Sequence, residues 1–381
     1  MKLFYTVLTC SMIALFGCNA GKDSGLGDHE GEDSIIVEGP VQWLTFEGTE
    51  GPGKGKHIVL ISGDEEYRSE EALPQMAKIL SSQHGFTCTV LFSQDPEKPG
   101  IIDPNYLHNI PGLEHLASAD LMYIFTRFRA LPDEQMQHID SYLMQGKPVI
   151  AVRTSTHAFN FDSTHVWAHY GNYYKGKKEE WHGGFGKLVL GENWYNHHGH
   201  HKQQSTRGVI APGAESHPVV KGIGPGEIWG SSDVYGIHLP QGPGEQAIVL
   251  GQVTNRAGEF DENDRHYGMR SSDREVADNP HGNIKEITNV NDPMIPVAWT
   301  KSYRLPGGKE GKSFTATVGV AVDMLTEGTR RMLVNAVYWA LDMEVPEKAS
   351  VELVGDYAPT QFKFEDDAYW DEKNMKVSDQ R

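Results

Sequence analysis

The chain is poor in cysteine and in positive charge, and its one long apolar run, at the N-terminus, is too short to be a comfortable membrane span. Three cysteines, Cys10, Cys18 and Cys88, occur in 381 residues, so neither a disulfide framework nor a cysteine-ligated zinc site can be assembled. Cys88 lies in the apolar run FTCTVLF, where a thiol is expected to be buried and inert. Thirty-four Lys and Arg against fifty-two Asp and Glu leave a formal charge of -18. That charge repels polyphosphates and anionic lipid surfaces, which argues against nucleic acid as a partner. A hydrophobic content of 38% with 10% aromatics is ordinary for a globular chain and argues against disorder throughout.

The N-terminus reads MKLFYTVLTCSMIALFGC, one Lys ahead of the apolar run, and its end, Leu15-Phe16-Gly17-Cys18, resembles a bacterial lipobox. Cleavage there would remove residues 1–17 as a lipoprotein signal peptide, Cys10 with them, and leave Cys18 to carry lipid. The expected location is the bacterial cell envelope, anchored at the outer membrane or the periplasmic face. Residues 18–55 then read as a flexible tether, Gly-rich and acidic from Gly21 to Ser34.

From Lys56 the pattern is strand, loop, helix: HIVLIS, then Gly63 to Arg68, then a helical stretch that Gly85 stops. Further strands are expected at Phe86 to Phe92, Leu121 to Phe125 and Lys147 to Val152, with a helix over Pro132 to Gln145. Such alternation predicts an α/β fold with a mostly parallel sheet covered by helices on both faces. The second half is richer in loops. Strands are expected at Gly208 to Ala211, Ala247 to Val253, Ile295 to Thr300 and Phe314 to Val320, and a closing helix at Thr329 to Leu341. The charged stretch 256–292 reads as a surface insertion, and the aromatic-bearing tail 347–381 as a strap over the domain.

In an open parallel sheet, ligands gather at the carboxyl ends of the strands. The loops there carry Asp64, Glu65 and Tyr67 after the first strand, Arg127 after the third, and Arg153-Thr154-Ser155-Thr156-His157 after the fourth. A strand followed by a sharp turn is where some hydrolases expose a nucleophile. Here the turn offers Ser155 with His157 as a base, or else only a hydroxyl-rich turn. No cysteine stands there, so glutamine hydrolysis through a thiolate is excluded.

The segments GDEEYRSEEALPQMAKIL, KPVIAVRTSTHAF, FGKLVLGENWYNHHGHH, SHPVVKGI, PMIPVAWTKSY and TEGTRRMLVNAVYWALDMEVP, in this order, resemble ThuA-like (trehalose-utilisation) proteins over 56–346. The resemblance implies a flavodoxin-like, class I glutamine amidotransferase-like fold, a mostly parallel sheet with helices on both faces, without the amidotransferase cysteine. Because many members lie among carbohydrate-utilisation genes, it also implies a sugar or sugar derivative as ligand.

Eight of the eighteen histidines fall between His157 and His201. In the run NHHGHHK, a strand would put His198 and His200 on one face, whereas a helix would pair His197 with His201 across Gly199. Two imidazoles need a third ligand to hold a catalytic divalent metal such as zinc. His198, His200 and His201 are the expected ligands, with His157, His182, Glu192 or Asp233 as further donors; otherwise the histidines hydrogen-bond ligand hydroxyls or backbone.

Two functions remain open. One is a sugar hydrolase or isomerase using His157, Ser155, Asp64 and Asp233 for catalysis and Glu65, Tyr67, Arg127, Arg153 and Tyr235 for binding. The other is a non-catalytic carbohydrate-binding lipoprotein. An enzyme should bring a carboxylate within hydrogen-bond reach of a histidine in the crevice, whereas a binding module should show aromatic faces and few perturbed ionisable groups.

Overall fold

Alternate residues of the strand β2 (His57–Gly63) enter two separate cores: Ile58 and Leu60 pack on one face of the sheet, Val59 and Ile61 on the other. This is the consequence of side chains alternating across a strand that is apolar through its centre. The computed structural model describes residues 39–239, 241–278 and 288–381. The stretch expected to be a signal peptide, Cys18 and most of the stretch expected to be a tether lie outside the described residues.

Among the described residues the sheet has ten strands. In chain order they are β1 (Trp43–Phe46), β2, β3 (Thr87–Phe92), β4 (Leu121–Thr126), β5 (Val149–Val152), β6 (Gln204–Ile210), β7 (Trp229–Gly230), β8 (Glu245–Asn255), β9 (Ile295–Arg304) and β10 (Glu310–Ala316). Across the sheet the order is β1-β3-β2-β4-β5-β10-β9-β8-β6-β7. Four neighbouring pairs, β3 with β2, β2 with β4, β4 with β5 and β5 with β10, are parallel. The other pairs are antiparallel.

The sheet is therefore mixed rather than mostly parallel. The physical reason lies in the connections. Between β9 and β10 the chain has only residues 305–309, a link that can join only antiparallel neighbours, whereas the early strands are separated by crossovers long enough to return parallel.

The helices α1 (Ser69–His84) and α3 (Glu327–Ala340) cover one face, burying Leu73, Met76, Leu333 and Val337; α2 (Asp133–Met144) covers the other with Met136, Ile139 and Leu143. Gly85 ends α1 at φ 80, a left-handed turn suited to glycine, and its N–H caps the Ser81 carbonyl.

Several features differ from expectation, among them β6, which starts at Gln204 rather than Gly208, and β9, which runs on to Arg304. β1 falls inside the stretch expected to be tether, because Trp43 to Phe46 pair with Leu91 to Cys88. β10 starts earlier, its charged Glu310 and Lys312 alternating with partners on β9. The 256–292 stretch is not purely superficial: Tyr267 and Met269 are buried, and the Tyr267 hydroxyl donates to the Phe362 carbonyl.

The C-terminal segment crosses the domain as a strap that includes the short helix α4 (Asp367–Lys373), with Phe362 and Trp370 buried and the Tyr357 hydroxyl donating to the Ala321 carbonyl at 2.8 Å. Among the described residues, no helix is long and apolar enough to cross a membrane.

Candidate functional site

The loops after β2, β4 and β5 meet at one end of the parallel strands and are bonded to one another. Asp64 accepts the Thr154 hydroxyl and the N–H groups of Glu66 and Tyr67, which fixes the first loop as a tight turn against the third. Glu65 binds Arg127 at 2.5 Å and Arg129 at 2.6 Å. The Ser155 hydroxyl donates to the Ile124 carbonyl at 2.8 Å.

Arg153 decides the character of the third loop. It follows the last residue of β5 in the left-handed region, at φ 49, the strained strand-to-turn position at which α/β hydrolases expose a nucleophile. Here that position holds a fully buried guanidinium. It donates to the Asp233 carboxylate at 2.8 Å, to the Asp233 carbonyl at 2.5 Å, to the Thr317 carbonyl at 2.9 Å and to the Tyr67 hydroxyl at 3.1 Å. The rings of Tyr235 and Tyr67 cover its faces, with centroids 3.5 and 4.5 Å away.

Asp233 is the hub of the next layer. One carboxylate oxygen faces Arg153 and the His201 Nδ1 at 2.9 Å; the other faces the His197 Nδ1 at 2.7 Å. His201 reaches Glu66 through its Nε2 at 3.3 Å. The two histidines converge because His197 forms an antiparallel bridge with Tyr235 and the chain then turns, the His200 carbonyl accepting from Gln203 and Gln204. Gly199 fits tightly here. A Cβ would stand 3.2 Å from the Val234 nitrogen, and the Gly199 N–H already binds the Val234 carbonyl.

These groups wall a cavity of about 270 Å³ lined by Glu66, Arg127, His157, Trp194, His197, His201, Lys202, Tyr235 and Phe364. Arg127 lies between the rings of Phe128 and Phe364, at 4.7 and 4.9 Å. His157 packs on Phe128 and Trp194. Larger depressions at Glu215 to Lys221 and between α1 and the strap do not bring histidines and carboxylates together in this way.

Burial raises the Asp64 carboxyl to about 6, with Glu65 adding to the rise and Thr154 opposing it. Burial would lift Asp233 as well, but Arg153 and the histidines hold it well below the usual carboxylate range. Burial holds His157 well below its ordinary value, helped by Arg127 and Arg153, so its imidazole is neutral at pH 7. His201 goes the other way. Burial pulls it down, yet the bonds to Asp233 and Glu66 outweigh that and push it up to about 9.

Of the residues singled out in the sequence, His157, Arg127, His201 and Tyr235 line the cavity, and Asp233 stands directly behind it. Ser155 does not: its hydroxyl is buried in the junction of β4 and β5, so it is not placed as a nucleophile. Asp64, Glu65, Tyr67 and Arg153 are likewise absorbed in the framework: Asp64 holds Thr154, Glu65 holds Arg127 and Arg129, and Arg153 donates to the Tyr67 hydroxyl. The expected pairing of His198 with His200 is also corrected. His198 is buried with Nε2 on the Val290 carbonyl at 2.7 Å, and His200 is exposed. The strand reading fails because the chain turns after Gly199, which brings His197 and His201 together as the helical reading would.

Glu66, Lys202 and Phe364 line the cavity although they are not among the site residues expected from the sequence. Glu66 lies in the same loop as Asp64 and Glu65, so a signal for it is present. Phe364 reaches the cavity from the strap, and nothing local announces that.

A crystal structure of a protein from Parabacteroides merdae ATCC 43184, described as ThuA-like, aligns with 81% of this chain and 98% of that chain, at 14% identity and a TM-score of 0.41. The chain is similar to a ThuA-like protein. No family model matches it, and no curated protein does. The chemistry of the cavity is read from its own side chains.

Proposed function

We propose that this protein is an enzyme of carbohydrate metabolism that acts by proton transfer on a sugar or keto-sugar derivative bound in the strand-end cavity. The observation that carries this reading is the Asp233 carboxylate held at 2.7 and 2.9 Å from two imidazoles in the wall of that cavity. A purely adhesive site has no need of such contacts.

Each lining residue has a natural part. The rings of Trp194 and Phe364 offer apolar faces to a pyranose, and Arg127 offers donors to its oxygens. Neutral His157 can take a proton from a hydroxyl or from a carbon beside a carbonyl. Glu66, 3.3 Å from His201, supplies a carboxylate to the same cavity. Amidotransferase chemistry has no nucleophile here, since Arg153 occupies the elbow and Cys88 is buried in β3 with its thiol pushed far up by burial.

The class I glutamine amidotransferase-like, flavodoxin-like reading of the fold belongs to this proposal. It is supported by the parallel part of the sheet, whose strands run 2-1-3-4-5 in their own chain order.

The test is a turnover screen of delipidated protein against trehalose, other disaccharides and their 3-keto forms. At least one should be converted, with His157→Ala lowering the rate about 100-fold or more and Ser155→Ala retaining activity. Saturable sugar binding without turnover would replace the enzyme by a binding lipoprotein. Absence of both would end the carbohydrate reading.

We also propose anchoring in the bacterial envelope through lipidated Cys18, on the strength of the lipobox-like sequence. Cys18→Ser should move the protein from the membrane to the soluble fraction with unchanged circular dichroism. Membrane retention of that variant would reject the anchor.

A further inference from the structure

We infer that His197, His201 and Asp233 form a binding site for a divalent first-row transition-metal ion, zinc being the simplest occupant, whose remaining coordination positions open into the cavity. The inference rests on the reading of this cavity as the working site and adds an ion to it.

One nitrogen from each imidazole and one carboxylate oxygen all lie within 4.8 Å of one another, the one such trio of His, Cys, Asp and Glu among the described residues. Two imidazoles with a carboxylate suit zinc, iron(II) and their neighbours, and three protein ligands leave room for substrate or water. Present separations of 2.7 and 2.9 Å from Nδ1 to oxygen are those of hydrogen bonds. Tetrahedral bonds of about 2.0–2.1 Å would place the donors roughly 3.3 Å apart. The histidines can supply that shift, because their side chains keep 30% and 24% of their accessibility while Asp233 keeps none.

The surroundings are those of a supported ligand set. Arg153 grips Asp233 through both its carbonyl and one carboxylate oxygen, leaving the other directed at His197. Glu66 stands at the far nitrogen of His201, the outer carboxylate that orients a ligating imidazole and raises its basicity. Trp194 and Tyr235 pack edge-on against His197 at 5.6 and 5.5 Å and fix its ring. An ion there would face the same space as His157 and Arg127, where it could take a hydroxyl or carbonyl oxygen of a sugar.

The full chain, stripped with EDTA and dialysed, should be titrated with zinc, manganese(II) and cobalt(II) by calorimetry, with cobalt absorption as a second readout. One ion per chain is expected. His197→Ala and His201→Ala should each weaken binding at least 100-fold, and Glu66→Gln about 10- to 100-fold. His200→Ala, in the same run but with an exposed side chain, should bind as the wild type does. Circular dichroism establishes that each variant is folded.

No stoichiometric binding of any of the three ions by the wild type would overturn the site. So would equal loss in His200→Ala, which would place the ion on the exposed histidines. Because the readout is ion binding alone, failure to bind an ion overturns this site and leaves the carbohydrate reading standing, while absence of turnover leaves a site that binds the ion standing.

Discussion

Asp233→Asn is expected to destabilise the protein by about 3–5 kcal/mol, the loss seen when one partner of a buried ion pair is removed. Arg153 has no exposure to water, so its charge would have no carboxylate to answer it. One of the two histidines would lose its acceptor in the same step, because the amide keeps a single oxygen where the carboxylate had two. Urea denaturation followed by circular dichroism measures the loss. The double variant Arg153→Met, Asp233→Asn should be less destabilised than the sum of the two single variants, because the stranded charge is gone. A loss below about 1 kcal/mol for Asp233→Asn would mean that water reaches Arg153, and the picture of a sealed pair behind the cavity would have to be abandoned.

The second large effect lies under the strap. Glu70, in the first turn of α1, is fully buried, and neither carboxyl oxygen has a hydrogen-bond partner among the described residues. Burial pushes it up to about 7 from 4.5; Arg68 and Lys373 pull against that, and Glu71 adds to it. The folded state therefore keeps a proton that the unfolded chain sheds near pH 4.5. Stability contributed by this group is complete below pH 4.5, falls between 4.5 and 7, and is lost above that.

Glu70→Gln keeps the shape without the ionisable proton. It should leave stability near pH 4 almost unchanged and raise it at pH 8 by roughly 3 kcal/mol at most, since each tenfold change in proton affinity between the folded and unfolded chain is worth about 1.4 kcal/mol. The measurement is the difference in unfolding free energy between variant and wild type from about pH 4 to about pH 8. A flat difference curve would show that Glu70 finds a partner in solution.

Much of the scaffold is legible in the sequence because local signals and tertiary demands agree. VLIS in β2, LMYIF in β4 and VIAV in β5 are almost uninterrupted apolar runs, as strands covered on both faces must be. The antiparallel half is less legible, since β9 and β10 carry charged residues toward their ends and the direction of pairing depends on the connections.

The site divides in the same way. The loops of Asp64, Arg127 and Arg153 can be placed by counting strands. What cannot be read is which side chains face inward: Arg153 and Ser155 sit two residues apart in the polar turn RTSTH, and both are consumed by contacts with distant carbonyls. The histidine pair depends on the bridge between His197 and Tyr235, thirty-eight positions along the chain, and no local pattern encodes it. Phe364 belongs to the cavity only because the strap returns across the domain.

The sheet ends in β1, four residues long, on one side and β7, two residues long, on the other. Unpaired edges are templates on which a neighbouring molecule can add its own strand, and a sheet this wide would be a hazard wherever the protein is crowded. With so little free backbone at either margin, an added strand would gain only a few hydrogen bonds before running off the end.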